Sequence, residues 1–193
     1  MSKINTALKA LIKIARNPWL LNHVLQDKNE WKEYVLRKYP ALTSLPVVTI
    51  DQIAGPELHT SLSPFTFLDG GSLPTDIMLL KLLAKQFDAC SYFEIGTWRG
   101  ESVINVASEA GECYTLNLSG EEMRAMGVGE NVIALQGFFS RDAKNIVHLK
   151  GNTKNYNFAG LEKKFDLIFI DGSHHYAMVR NDTEKVFRHL VHP

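Results

Sequence analysis

The 193 residues suffice for one sizeable domain, and a composition 45% apolar and 22% charged is that of a globular chain, not a disordered or fibrous one. Lys and Arg total 21 against 21 Asp and Glu, so no overall field favours a polyanion, and without a local basic patch nucleic acid is not an expected partner. No run of 18 apolar residues and no signal-peptide pattern occurs, because Lys9, Lys13 and Arg16 interrupt the N-terminal apolar residues; a cytoplasmic location is expected.

Ile4, Leu8, Leu11, Ile12 and Ala15 form a stripe at helical spacing with the lysines largely off it, which predicts an amphipathic helix that packs on its own domain or a partner subunit in preference to a membrane. Asn17-Pro18 punctuates; Trp19 to Val24 reads as a short second helix and Lys28 to Tyr39 as a third, stopped by Pro40. From Pro46 to Gly71 prolines and glycines break every pattern except Val47 to Ile50, read as a short strand or extended arm, so this stretch is a linker or a cover for an active site. Residues 1–71 are therefore expected to be an appendage and 72–193 the main domain.

Ser72 to Phe87 predicts a helix, with Pro74 and Asp76 in its first turn and Ile77, Leu80, Leu83, Ala84 and Phe87 as its buried face. Tyr92, Phe93 and Ile95 then make a strand that breaks at Gly96 and Gly100, and Glu101 to Ala110 follows at helical spacing. Glu112 to Leu118 reads as a second strand, Gly120 to Gly129 as a helix or loop, Asn145 to Lys150 as a third strand, and Phe165 to Ile170 as a fourth whose continuous apolar run suits a strand buried on both faces. The last helix spans Tyr176 to Val191 with Val179, Val186, Phe187 and Leu190 inward. Strands alternating with helices imply a doubly wound, mainly parallel α/β sheet of Rossmann-like form, with ligands at the carboxyl ends of the strands. Cys90 and Cys113 open two predicted strands, match no metal spacing, and are expected to be buried and reduced.

Candidate chemistry collects at two strand ends. At the first, glycines allow close backbone approach, the following helix start favours an anion, and Glu94 suits a ligand that also carries an ammonium or hydroxyls. At the other, Asp171 is followed by His174, His175 and Tyr176, a set able to bind a divalent ion, abstract a proton, or merely cap the last helix. His148, His189 and His192 are scattered and read as surface or internally satisfied residues.

Glu94-x-Gly96-x-x-x-Gly100-x-Ser102 resembles the first motif of class I S-adenosylmethionine-dependent methyltransferases, and Phe165 to Tyr176 with Val179-Arg-Asn-Asp182 resembles the fourth-strand motif of their small-molecule O-methyltransferase branch. The resemblance covers roughly Thr75 to Pro193. It implies S-adenosylmethionine as cofactor, with Glu94, Gly96, Thr97, Gly100 and Ser102 at the positions that hold its methionine part. Asn117 stands where that family usually has an acid for the ribose, and Asn152 where the third strand's second acid would be; an amide still accepts a hydrogen bond, and the first exchange is worth about 1–2 kcal/mol of affinity. By the same resemblance Asp171 is a Mg²⁺ ligand or cofactor contact and His174 the base that takes the proton of a small-molecule hydroxyl, on a sugar or secondary metabolite. The chain stops at His192-Pro193, where the family turns into a fifth strand, so a C-terminally incomplete sheet is expected, with the open edge of the fourth strand driving a homo-oligomer. Two other functions compete: a catalytically inactive binding or assembly module that keeps the fold, favoured by Asn117 and Asn152, and a nicotinamide-dependent oxidoreductase, which lacks the GxGxxG spacing.

Overall fold

The computed structural model describes residues 3–21, 30–41, 47–55 and 59–192, which fall into two compact units dividing at Val48 and Thr49. That boundary lies well before the 71/72 division expected from composition, since residues 59–71 belong to the second unit. The first unit holds helix α1 (Lys3–Arg16), a short 3₁₀ turn at Pro18–Leu20 and helix α2 (Glu30–Lys38). The later residues of the expected Trp19–Val24 helix, the start of the expected Lys28–Tyr39 helix, and Pro46 lie outside the described residues.

In the second unit, Ile50 opens a helix instead of closing a strand. The Thr49 N–H donates to the Gln52 side-chain oxygen at 2.7 Å, which caps α3 (Ile50–Ala54) and overrides the β-branched run Val47-Val48-Thr49-Ile50. Helix α4 (Pro74–Ala84) begins with proline at its first position and the Asp76 carboxylate accepting from the Leu73 N–H at 3.2 Å. It buries Ile77, Leu80, Leu82 and Ala84; the expected inward Phe87 is exposed, because the helix stops at Ala84 and the chain turns through Ala89 at φ 52°.

Four parallel strands follow: β1 (Ser91–Ile95), β2 (Glu112–Asn117), β3 (Ile146–Lys150) and β4 (Leu167–Ile170), in the order β3-β2-β1-β4. Phe93 of β1 is opposite Tyr114 of β2 and Ile168 of β4, so all four carboxyl ends finish on one rim. Helix α5 (Glu101–Val106) follows β1; α6 (Gly120–Ala125) and α7 (Glu130–Ile133) lie between β2 and β3; α8 (Tyr176–His189) follows β4. This is the α/β, Rossmann-like architecture. One face of the sheet packs Leu80, Tyr92, Val103 and Val106 around the two cysteines; the other packs Phe93, Leu116, Phe158, Phe165, Val186 and Leu190. Both cysteines are reduced, and burial raises the Cys90 thiol to about 11 and that of Cys113 to about 12, so neither serves as a nucleophile near neutral pH.

Two expectations about apolar faces change. Every residue of β4 is half-buried, because among the described residues this strand pairs only with β1. In α8 the buried stripe runs Asp182, Val186, Leu190, four residues apart, which turns Phe187 outward, 67% exposed; Val179 lies on the stripe's own face but is 41% exposed in the first turn of the helix. A carboxylate therefore occupies a position that hydrophobic periodicity alone does not find.

Candidate active site

The turn after β1 is shaped by its neighbours in the chain. Gly96 has φ 104°, and a Cβ there would lie 2.2 Å from the Asp171 carbonyl oxygen; Gly100 has φ 82°, and a Cβ there would lie 2.1 Å from the Ser140 hydroxyl. Both glycines are fixed by contacts that bring β4 and the β3 approach against the loop. The Gly96 N–H donates to the Leu116 carbonyl at 2.9 Å and the Asp171 N–H to the Ile95 carbonyl at 2.8 Å, so the strand ends are stitched together under the rim.

Residues 61–72 lie across α4 and α5 as a strap held by buried polar side chains. Lys81 donates to the Ser61 carbonyl at 2.7 Å, Asn105 exchanges bonds with the Ser63 N–H and Pro64 carbonyl at 2.8 Å each, and Glu101 accepts from the Thr66 N–H at 2.6 Å. Arg99 pairs with Glu101 at 2.8 Å and donates to the Leu68 and Asp69 carbonyls. All four side chains are at most 5% exposed, and each has the partners that make burial of a charge or amide tolerable. The strap ends where Ser72 donates to Asp171 Oδ2 at 3.0 Å.

Between the strap and the strand ends is a cleft of ≈ 850 Å³. Its walls are mostly apolar, from Ile95, Leu116, Leu118, Met123, Phe169 and Met178, with a few polar groups converging on it, the ordinary make-up of a small-molecule site. Gly96, Asn117, Asn152, Asp171 and His174 line it. Thr97 and Ser102 are set back, on a smaller adjoining chamber. Gly100 and Glu94 line neither space. Asp171 Oδ1 is 3.4 Å from His174 Nε2, and the His174 side chain is 85% exposed at the mouth. The Asn117 amide nitrogen donates to Gln136, which leaves its oxygen as the acceptor toward the cleft; the Asn152 oxygen accepts from the Lys154 N–H at 3.0 Å and so also shapes its own turn.

Glu94 is fully buried under the loop. Its carboxylate accepts from Tyr92 at 3.0 Å and from Ser102 and Thr115 at 2.9 Å each, while Thr115 in turn bonds Thr97 at 2.6 Å. Burial lifts this carboxyl from 4.5 to about 7, and nearby Asp171 adds to the rise, against the lowering effect of the three hydroxyls. Between those two values the folded protein binds more protons than the unfolded chain, so stability falls as pH rises through that window, by on the order of 3 kcal/mol when complete. Thermal melts should show a Tm declining from pH 5 to pH 8, and Glu94→Gln, which cannot ionise, should flatten that decline; an unchanged slope would place the titrating group elsewhere.

The divalent ion implied by the sequence resemblance is not supported. Among the described residues no group of three or more His, Cys, Asp or Glu side chains is placed to hold a metal, and the ion-pairing partner of Asp171 is His174. Several cleft residues escaped the sequence reading: Ser72, Trp98, Gln136, Met178 and Asp182, the last 1% exposed and held by the Asn181 amide at 2.8 Å. Trp98 and Asp182 fall within the two motif stretches, and the prolines and glycines between Pro46 and Gly71 mark the strap as a possible cover.

A sequence profile described as "Methyltransferase domain" matches residues 93–192, more than half of the chain. No curated protein matches the sequence. Among solved structures, the SAH-bound Podospora anserina methyltransferase PaMTH1 is similar at 18% identity over 85% of this chain and 67% of that one, with a TM-score of 0.48. The O-methyltransferase TomG from Streptomyces achromogenes, in complex with SAM, is similar at 19% over 83% and 68%, TM-score 0.47. Cofactor-bound Rv0187 from MTB is similar at 22% over 61% and 53%, TM-score 0.45. The chain thus spans about half to two thirds of the length of these proteins.

Proposed function

The chain belongs to this methyltransferase-domain family, and from that premise we propose that the cleft at the strand ends binds S-adenosylmethionine and transfers its methyl group to a hydroxyl of a small molecule. The observation that carries the reading is the position of the Asp171–His174 pair at the mouth of a cleft whose inner wall is the β1 glycine turn.

The residues present suit this cofactor. The apolar wall from Leu116, Leu118 and Met123 accepts a flat ring; Asn117, at the end of β2, offers an amide oxygen to a ribose hydroxyl; Asp171, lining both cleft and chamber, offers a carboxylate to an ammonium. Bound there, the cofactor supplies an electrophilic methyl group whose transfer neutralises the sulfonium. The protein's part is positioning and removal of a proton, because a neutral hydroxyl attacks carbon poorly until its proton has somewhere to go. His174 takes that proton and passes it to the solvent it faces. Asp171 holds the imidazole through Oδ1 and stabilises the positive charge that the ring gains, and Ser72 fixes the carboxylate through Oδ2. No step uses a metal ion.

Exposed Leu73 and Met126 join the methionines of the cleft, so an acceptor with an apolar body fits better than a bare sugar. Two buried thiols are consistent with a reducing compartment such as the cytoplasm. Incubation with S-adenosylmethionine and a panel of phenols, aliphatic alcohols and glycosides, with release of S-adenosylhomocysteine as readout, tests the proposal: acceptor-dependent release is expected. Cofactor binding with no release from any hydroxyl class would favour the inactive-module alternative.

A further inference from the structure

Helix α1 keeps its apolar residues in water. Ile4, Leu8, Leu11 and Ile12 are 46–79% exposed, and no residue of the helix is buried. Single leucines at a surface need no explanation, but a continuous exposed stripe does. At about 100° of turn per residue, an arc of about 160° running from Ile14 through Leu11 and Ile4 to Ile12 holds apolar residues alone. Lys3 lies just outside one margin of that arc and Arg16 near the other, with Lys9 and Lys13 further round. The helix thus carries Lys3, Lys9, Lys13 and Arg16 and no acid at all, and the first Asp or Glu of the chain is Asp27. In a chain whose charges balance overall, this is a segregated cationic face set against an apolar one.

The two faces together narrow what covers them. A nucleic acid takes up the cations and leaves the stripe in water. A second copy of the helix covers the stripe only by bringing two sets of cations together, which charge complementarity disfavours. An anionic bilayer surface meets both needs: the acyl chains receive the stripe, the lipid phosphates meet the cations, and the long Lys and Arg stems reach from the stripe's margins to the headgroups. At 14 residues the helix is about 21 Å long, short of the ~30 Å hydrocarbon core, so it lies on a membrane and does not cross it. We propose that α1 is a membrane-docking helix that lies in the headgroup layer of an anionic bilayer, with Ile4, Leu8, Leu11 and Ile12 directed at the acyl chains. This reverses the order of partners read from the sequence and is independent of the methyl-transfer reading.

Flotation of the whole chain with vesicles of phosphatidylcholine alone, and of phosphatidylcholine mixed with phosphatidylglycerol, tests it. The wild type should bind the anionic vesicles at least about tenfold more tightly than the neutral ones, and less tightly as salt rises. The double variant K13Q/R16Q should bind the anionic vesicles about 25-fold more weakly, at about fivefold for each cation removed. L8S/L11S should lose at least about tenfold, because two leucines no longer enter the acyl layer. Both variants should keep the melting transition of the wild type, since they alter exposed positions. Flotation with neither vesicle, equal flotation with both, or anionic flotation that survives both double variants would overturn the proposal. Without flotation, a dimer in light scattering that L8S/L11S dissolves would give the stripe to a second copy, and a melting transition lowered by L8S/L11S would give it to the chain's own packing.

Discussion

His174→Ala is expected to lower turnover about 10²-fold or more while the affinity for S-adenosylhomocysteine stays within roughly twofold. The imidazole stands at the cleft mouth with its side chain 85% exposed, so its removal leaves no buried hole and no stranded partner except one oxygen of Asp171. Asp171→Asn should lose turnover to a similar degree, because an amide at 3.4 Å neither fixes the ring nor stabilises a charged one. Its cofactor affinity should fall as well, since the same carboxylate is the group proposed to meet the cofactor's ammonium. Stopped-assay turnover and calorimetric binding, measured on both variants, separate these effects. Full turnover in His174→Ala would remove the base from the mechanism and leave the pair as a cap on α8.

Gly96→Val is expected to prevent folding, and Gly96→Ala to destabilise the domain by more than about 3 kcal/mol. Two costs add: a left-handed φ of 104° for a residue with a β-carbon, and a Cβ placed 2.2 Å from the Asp171 carbonyl oxygen and 3.0 Å from the Gly172 nitrogen. Neither neighbour is a flexible side chain, so relief requires β1 and β4 to separate where their hydrogen bonds are made. A melt followed by circular dichroism decides the point. A valine variant that melts with the wild type and fails only to bind cofactor would mean that the loop glycine serves the ligand alone.

Much of the sheet was legible because its signals are local. The strand, glycine turn and helix around Gly96 form one continuous stretch from Ser91 to Val106, the apolar run that ends at Asp171 is shorter still, and a parallel order follows from their alternation with helices. The candidate cleft falls at the same two places: Gly96, Asn117, Asn152, Asp171 and His174 border it, whereas Glu94 and Gly100 do not. What the sequence concealed is held together over long separations or by residues whose type argues the other way. Lys81, Arg99, Glu101 and Asn105 are residue types that usually stay in water, yet they are buried because the strap's own carbonyls and N–H groups satisfy them. Ser72 reaches Asp171 across 99 positions. Glu94 reads as a ligand group at a strand end, but the alternation of β1 turns it inward to three hydroxyls that no spacing rule ties to it. Phe187 reads as inward beside Val186 and Leu190, but the phase of α8 set by Asp182, Val186 and Leu190 turns it out.

Calorimetric titration of the folded chain with S-adenosylhomocysteine decides whether the rim above β1 and β4 is a site for S-adenosylmethionine. Saturable one-to-one binding with a Kd tighter than about 1 mM is expected, together with a rise in Tm at saturating ligand and no response to NADH. Absence of heat and of any thermal shift at millimolar S-adenosylhomocysteine, from a sample with an intact melting transition, would contradict it.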